Sequence, residues 1–265
     1  MGRLLRVTRL GSIRKRNTFK DNHSVIRKKK SKPVERSEAT VLGEVVPETD
    51  AIRREIESFL KTLDERGRKI GGVQHGVYAF YDYFGEPIYV GRTKERIGTR
   101  TRRHLTNQRT DAVAMSVLDP VEVAEVEVWP FYLKGKNKAE IEQILASAEY
   151  TVKKKVVELS KLKFVLNEKD IPTTRDMELP KSYRKRIVPS PIYEARQHPD
   201  IRIAQRAATI ADLAKIIVER KVQKGLRRTL LFQAVRLQSL AKERLDQITG
   251  PIEVETGDEE SGDSR

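Results

Sequence analysis

The stretch His75-Gly76-Val77-Tyr78-Ala79-Phe80-Tyr81-Asp82-Tyr83-Phe84-Gly85-Glu86-Pro87-Ile88-Tyr89-Val90-Gly91 decides the fold. From His75 to Tyr83, β-branched and aromatic residues crowd together, which predicts a strand because such side chains fill a pleated, half-buried surface. Phe84-Gly85-Glu86-Pro87 has turn chemistry, and Ile88-Tyr89-Val90 predicts a second strand returning beside the first. A hairpin with this spacing can bring Tyr78 and Tyr89 onto one face.

Upstream, Thr49 or Asp50 can cap a helix whose apolar face is Ile52, Ile56, Phe59, Leu60 and Leu63. Downstream, Arg96 to Thr106 reads as a basic helix in which Arg100 and His104, four apart, project from the same side. Val121 to Val128 alternates apolar and acidic residues with one slip at Ala124, predicting a third strand with a bulge and one wet face. Trp129-Pro130-Phe131-Tyr132 reads as core at the end of that strand, with base stacking as its alternative. Asn137 can cap a long helix carrying Ile141, Ile144, Leu145, Ala148, Val152, Val156 and Leu159 at helical spacing. Phe164-Val165-Leu166 is a short apolar segment ending in Asn167.

The expected fold is therefore α/β: a small three-stranded antiparallel sheet flanked by helices, over residues 46–171. A basic, mostly flexible arm is expected over 1–45, a linker or extended loop over 172–205, and a helical segment over 206–249. Two amphipathic helices, Ala208 to Lys221 and Leu226 to Ile248, make up that segment, and their apolar faces need burial. An acidic disordered tail is expected over 250–265.

The 265 residues are 38% hydrophobic and 34% charged, with a net charge of +15. That balance supports a core, and no run approaches the ~18–20 apolar residues a membrane span needs. No apolar block follows the basic N-terminus, so a secretory signal is not expected. The sequence has no cysteine, which excludes disulfides and cysteine-ligated zinc and fits a reducing, cytoplasmic setting. Met1 to Arg36 carries 13 Lys or Arg against Asp21 and Glu35. Such a segment has too few apolar residues to fold alone and suits a phosphate backbone, which makes nucleic acid the expected partner.

Read in order, Gly76-Val77-Tyr78, Tyr89-Val90-Gly91, Arg100, His104, Glu149 and Asn167 resemble the signature of the GIY-YIG nucleases. That signature is Gly-Ile-Tyr, Tyr-Ile-Gly, Arg-x-x-x-His, Glu and Asn, and valine replaces isoleucine conservatively in both tripeptides. Pro87 to Thr93, together with the histidine, is most similar to the type II restriction endonucleases of the family. The resemblance implies a Mg²⁺-dependent DNA endonuclease, with Mn²⁺ as a substitute metal. It implies that Glu149 holds the metal, that Tyr78 takes a proton from water, and that Tyr89 and His104 give hydrogen-bond support. Asn167 completes the set, and Gly76 and Gly91 are structural members of the motif. Glu149 and Asn167 stand 18 residues apart, farther than is usual in the family, so Glu142 and Glu158 stay open as metal ligands.

The chemistry of phosphodiester cleavage asks for these groups. It needs an activated water, a cation for the charge growing on phosphate, and help for the leaving oxygen. Arg100 offers a fixed planar cation. A phenol begins at a pKa of ~10 and an imidazole at ~6.5, so on the residues alone His104 is as good a base as Tyr78. Arg92, Lys94, Arg102 and Arg103 are expected DNA contacts, with Lys153-Lys154-Lys155 and Lys181 to Arg186 as further phosphate candidates. Expected partners are double-stranded DNA and a second copy of the chain, with no membrane and no small-molecule cofactor. The competing readings are a structure-specific repair or recombination nuclease and a non-catalytic nucleic-acid-binding protein on the same fold.

Overall fold

The computed structural model describes residues 47–105, 118–219 and 224–250. The expected arm over 1–45 and nearly all of the expected tail lie outside the described residues. In chain order the elements are α1 (Pro47–Leu60), β1 (His75–Tyr81), β2 (Pro87–Thr93), α2 (Ile97–Leu105), β3 (Glu125–Phe131), α3 (Lys138–Leu159), β4 (Tyr183–Arg186), α4 (Ser190–Arg196), α5 (Pro199–Glu219) and α6 (Lys224–Thr249). The chain is mixed α/β, with an antiparallel sheet in the order β2-β1-β3-β4. None of the described helices is long and apolar enough to cross a membrane.

The sheet has four strands where the sequence predicts three. The added strand lies inside 172–205, expected as linker or loop, which also holds α4 and the start of α5. Tyr183-Arg184-Lys185-Arg186 carries no apolar alternation; it is a strand because it pairs with Glu125 to Val128 of β3. Arg184 Nε bonds Glu125 Oε2 at 2.6 Å and its guanidinium lies 3.6 Å from the centre of the Tyr81 ring. Cross-strand charge and cation–π pairs of this kind specify an edge that hydrophobicity does not mark. The third strand also sits later than expected, because Pro120–Glu122 forms a 3₁₀ turn. The first of the two helices expected in 206–249 begins at Pro199 rather than Ala208.

β1 is an interior strand and both of its faces are buried. Tyr78 and Phe80 point to the layer formed with Ile56, Phe59, Ile70 and Ile97. Val77, Ala79 and Tyr81 point to the layer formed with Leu145, Ala148 and Val152 of α3. Leu63 and Leu159, expected on apolar helix faces, are exposed. Asn137 caps α3 as expected, with a reciprocal bond between Asn137 and Glu140.

The two C-terminal helices dock through charge as well as apolar contact. Asp82, just after β1, accepts from Arg206 Nη2 at 2.8 Å and from Arg236 Nη2 at 2.7 Å through one carboxylate oxygen. Its other oxygen accepts the backbone N–H groups of Phe84 at 2.9 Å and Glu86 at 3.0 Å, so the same side chain shapes the hairpin turn. Glu122 accepts from Arg206 Nε at 3.1 Å and pairs with Arg202. All five side chains are buried. Burial pulls the Arg202 and Arg236 guanidiniums down to about 10, so both remain cations near neutral pH.

Candidate active site

Four of the expected groups meet in one place. A β-bulge between Phe80 and Tyr81 sets the register that pairs Tyr78 with Gly91 and Phe80 with Tyr89. Partners in register share a face, so Tyr78 and Tyr89 lie on the same side of the hairpin, their rings stacked with centroids 6.1 Å apart. Gly91 has to be glycine here: a Cβ would fall 2.6 Å from the Tyr78 hydroxyl and 2.8 Å from the Tyr89 ring. Gly76 serves the neighbouring element, since a Cβ there would fall 2.6 Å from Ile97, the first residue of α2.

Helix α2 then delivers its two polar groups to the phenol. His104 Nε2 lies 2.9 Å from the Tyr78 hydroxyl, and Arg100 Nε donates to the same oxygen at 3.2 Å. The His104 ring also packs 5.6 Å from the Tyr89 ring, centre to centre. The spacing of four residues between Arg100 and His104 is what puts both on this side of α2. Burial pushes the Tyr78 phenol well above its ordinary value; Tyr89 and Glu149 push the same way, and Arg100 opposes them. The phenol is therefore neutral in the resting fold.

Glu149 lies in the half-buried middle of α3, on the side that packs against the hairpin. Its partner is Arg92 of β2, with Nε 3.3 Å from Glu149 Oε2. The same guanidinium reaches Glu142 Oε1 at 2.8 Å through Nη2, and Lys94 also pairs with Glu142. Burial raises the Glu149 carboxyl, and Arg92 counteracts part of that rise. Glu142 and Glu149 thus share one arginine, as their spacing of two helical turns allows, whereas the Glu158 side chain is exposed. Among the described residues, no three histidine or carboxylate side chains converge.

Asn167 enters the site through the backbone. Its side-chain oxygen accepts from Val90 N at 3.2 Å and its amide donates to Val90 O at 2.6 Å. This two-point clamp fixes β2 between Tyr89 and Gly91, so Asn167 positions the site. The four expected DNA cations are all occupied by carboxylates. Arg92 and Lys94 hold Glu142, Arg102 holds Glu57, and Arg103 makes a two-pronged contact of 2.7 Å with Glu95. Of the further phosphate candidates, Lys154 pairs with Asp176, Lys181 with Glu65 and Lys185 with Glu55.

Sequence reading missed the role of Glu95, which lies 3.9 Å from Arg100 Nη1 and holds Arg103. Its position just before a helix rich in arginine is the one signal that marks it. Set against protein-family models, curated proteins and solved structures, the chain matches none of them.

Proposed function

We propose that the chain is a Mg²⁺-dependent endonuclease of the GIY-YIG type that hydrolyses phosphodiesters in double-stranded DNA, with a restriction enzyme as its biological form. The observation that carries this reading is the Tyr78 hydroxyl, held by His104 Nε2 at 2.9 Å and Arg100 Nε at 3.2 Å. A buried phenol kept only for packing has no need of both an imidazole and a guanidinium on one oxygen.

The chemistry follows from that geometry. A buried phenol is too weak an acid to ionise unaided, so its proton must leave as it receives another. His104 Nε2 is placed to take the phenol proton while the Tyr78 oxygen takes a proton from the attacking water. Arg100 lies beside the same oxygen and offsets the negative charge that develops there. Tyr89 stacks on Tyr78 and, with the Asn167 clamp, holds the ring in place. A second chain in a symmetric dimer would supply the equivalent site for the other DNA strand.

The donor set around Glu149 fits Mg²⁺. That ion is held by one or two carboxylates and completes its shell with water and phosphate oxygens. Glu149 is a carboxylate whose charged partner among the described residues is an exchangeable arginine, and Glu142 stands ready to keep that arginine when Glu149 changes partner. When bound, the ion would stabilise charge on the phosphate and leaving oxygen.

Plasmid DNA incubated with the chain and Mg²⁺ should give discrete bands. Glu149→Gln should cut roughly 100-fold more slowly or worse, reflecting the several kcal/mol a Lewis acid supplies, while DNA binding in EDTA is retained. Wild-type cutting by Glu149→Gln would transfer the metal to Glu142. No cutting by the wild-type chain on any duplex sequence tested with Mg²⁺ or Mn²⁺ would sink the reading. Deleting residues 1–36 should weaken DNA affinity and flatten its dependence on salt, since fewer counterions are released. Equal slopes with and without those residues would refute a phosphate-binding role.

A further inference from the structure

A pocket of about 620 Å³ opens where β1 begins and β3 ends, outside the cluster of catalytic groups. Val73 and Phe131 line its floor, Tyr132 forms a wall, and Lys69 and Lys134 stand at its rim. The aromatic run that ends β3 divides here: Trp129 and Phe131 are buried in the core, while Tyr132 is 42% exposed. The exposed part of that ring thus opens onto a pocket whose lining includes Lys69 and Lys134.

The Tyr132 ring is held as a rigid platform. The Arg68 guanidinium lies 3.4 Å from the ring centre, and Arg68 Nη2 makes no hydrogen bond. Asp64 locks both members: it accepts from Arg68 Nε at 3.0 Å and from the Tyr132 hydroxyl. Asp64 is itself fixed by the backbone N–H groups of Arg66 at 2.9 Å and Arg68 at 2.7 Å. Lys69 and Lys134 are exposed and make no ion pair with any described residue, unlike Arg92, Lys94, Arg102 and Arg103. A fixed aromatic–guanidinium plate beside two free cations is the chemistry that stacks a nucleobase and holds its phosphate.

The pocket is also coupled to the catalytic groups. His75 lines it and precedes Tyr78 by three residues on β1, about 10 Å along a strand. Val73 accepts a hydrogen bond from Ile97 N at 2.9 Å, at the first residue of the helix that carries Arg100 and His104.

We propose that this pocket is a nucleotide subsite. It takes one unpaired nucleotide of the DNA, base against the Tyr132–Arg68 plate and phosphate between Lys69 and Lys134. The identity of the occupant as DNA rests on the endonuclease reading. The test uses the full chain in EDTA and single-stranded oligonucleotides with 2-aminopurine walked through each position. Stacking should quench emission strongly at one position. Tyr132→Ala should abolish that quench and weaken binding roughly 5- to 150-fold, whereas Tyr132→Phe keeps the ring and should retain both. Lys134→Glu should weaken binding and lower its salt dependence. Wild-type affinity and quench in both Tyr132→Ala and Lys134→Glu would overturn the subsite. DNA cutting without any position-specific quench removes the subsite and leaves the endonuclease standing. Quench without cutting in Mg²⁺ keeps the subsite and removes the endonuclease.

Discussion

Tyr78→Phe should cut DNA roughly 100- to 10,000-fold more slowly than the wild-type chain, the range a positioned general base contributes, with DNA affinity in EDTA unchanged. The substitution deletes a single oxygen. The ring stays, so the buried contact with Phe80 and the stack on Tyr89 persist and the hairpin keeps its register. What disappears is one acceptor for Arg100 and one partner of His104. Arg100 keeps a quarter of its side chain in solvent, so it can rehydrate, and the fold should survive. Single-turnover cleavage separates the chemical step from binding. Wild-type cleavage by Tyr78→Phe would assign the base to His104 acting directly on water, which the residue chemistry alone allows. His104→Gln should be impaired under either assignment; the phenylalanine variant is the one that discriminates.

Asp82→Ala should cost about 3–5 kcal/mol of stability, the range measured when one partner of a buried ion pair is removed. Among the described residues, the buried charged groups at the helix docking surface are three arginines and the two carboxylates Asp82 and Glu122. Cations are already in excess there. Deleting Asp82 leaves Arg206 and Arg236 facing each other, with Glu122 the sole buried carboxylate nearby. The turn also loses the acceptor for the Phe84 and Glu86 N–H groups. For a chain of this size the melting temperature should fall by roughly 6–20 °C. Arg236→Met, by contrast, removes surplus charge and keeps apolar volume, so its loss should be clearly smaller. Thermal denaturation of the two variants decides the matter. A midpoint for Asp82→Ala within 2 °C of wild type, or a larger drop for Arg236→Met, would show that Asp82 does not hold the C-terminal helices.

The two outcomes bear on different levels of the molecule. Tyr78 sits at the proposed chemistry, whereas Asp82 links the hairpin that carries Tyr78 to helices far along the chain. Asp82 follows Tyr81 directly, so a loosened docking surface lies one turn from the strand end that sets the tyrosine register. Loss of cutting in Asp82→Ala would therefore be read together with its melting temperature, and Tyr78→Phe supplies the comparison in which stability is preserved.

Residues 75–91 determined by themselves that a hairpin would form, because turn and strand propensities are local, whereas the β-bulge between Phe80 and Tyr81 set the register in which Tyr78 and Tyr89 share a face. The spacing of Arg100 and His104 likewise placed them on one side of a helix, and Asn137 announced the start of α3. Tertiary structure alone decided the rest. β4 is a strand through its pairing with β3, and its polar sequence carries no period to read. Arg202, Arg206 and Arg236 look like surface residues until Asp82 and Glu122, 80 or more positions away, arrive to neutralise them. Arg92 reads as an unpaired cation until α3 presents two carboxylates to it. In each case the deciding energy is an interaction between charges distant in sequence, and such pairing leaves no local pattern because neither partner constrains its own neighbours.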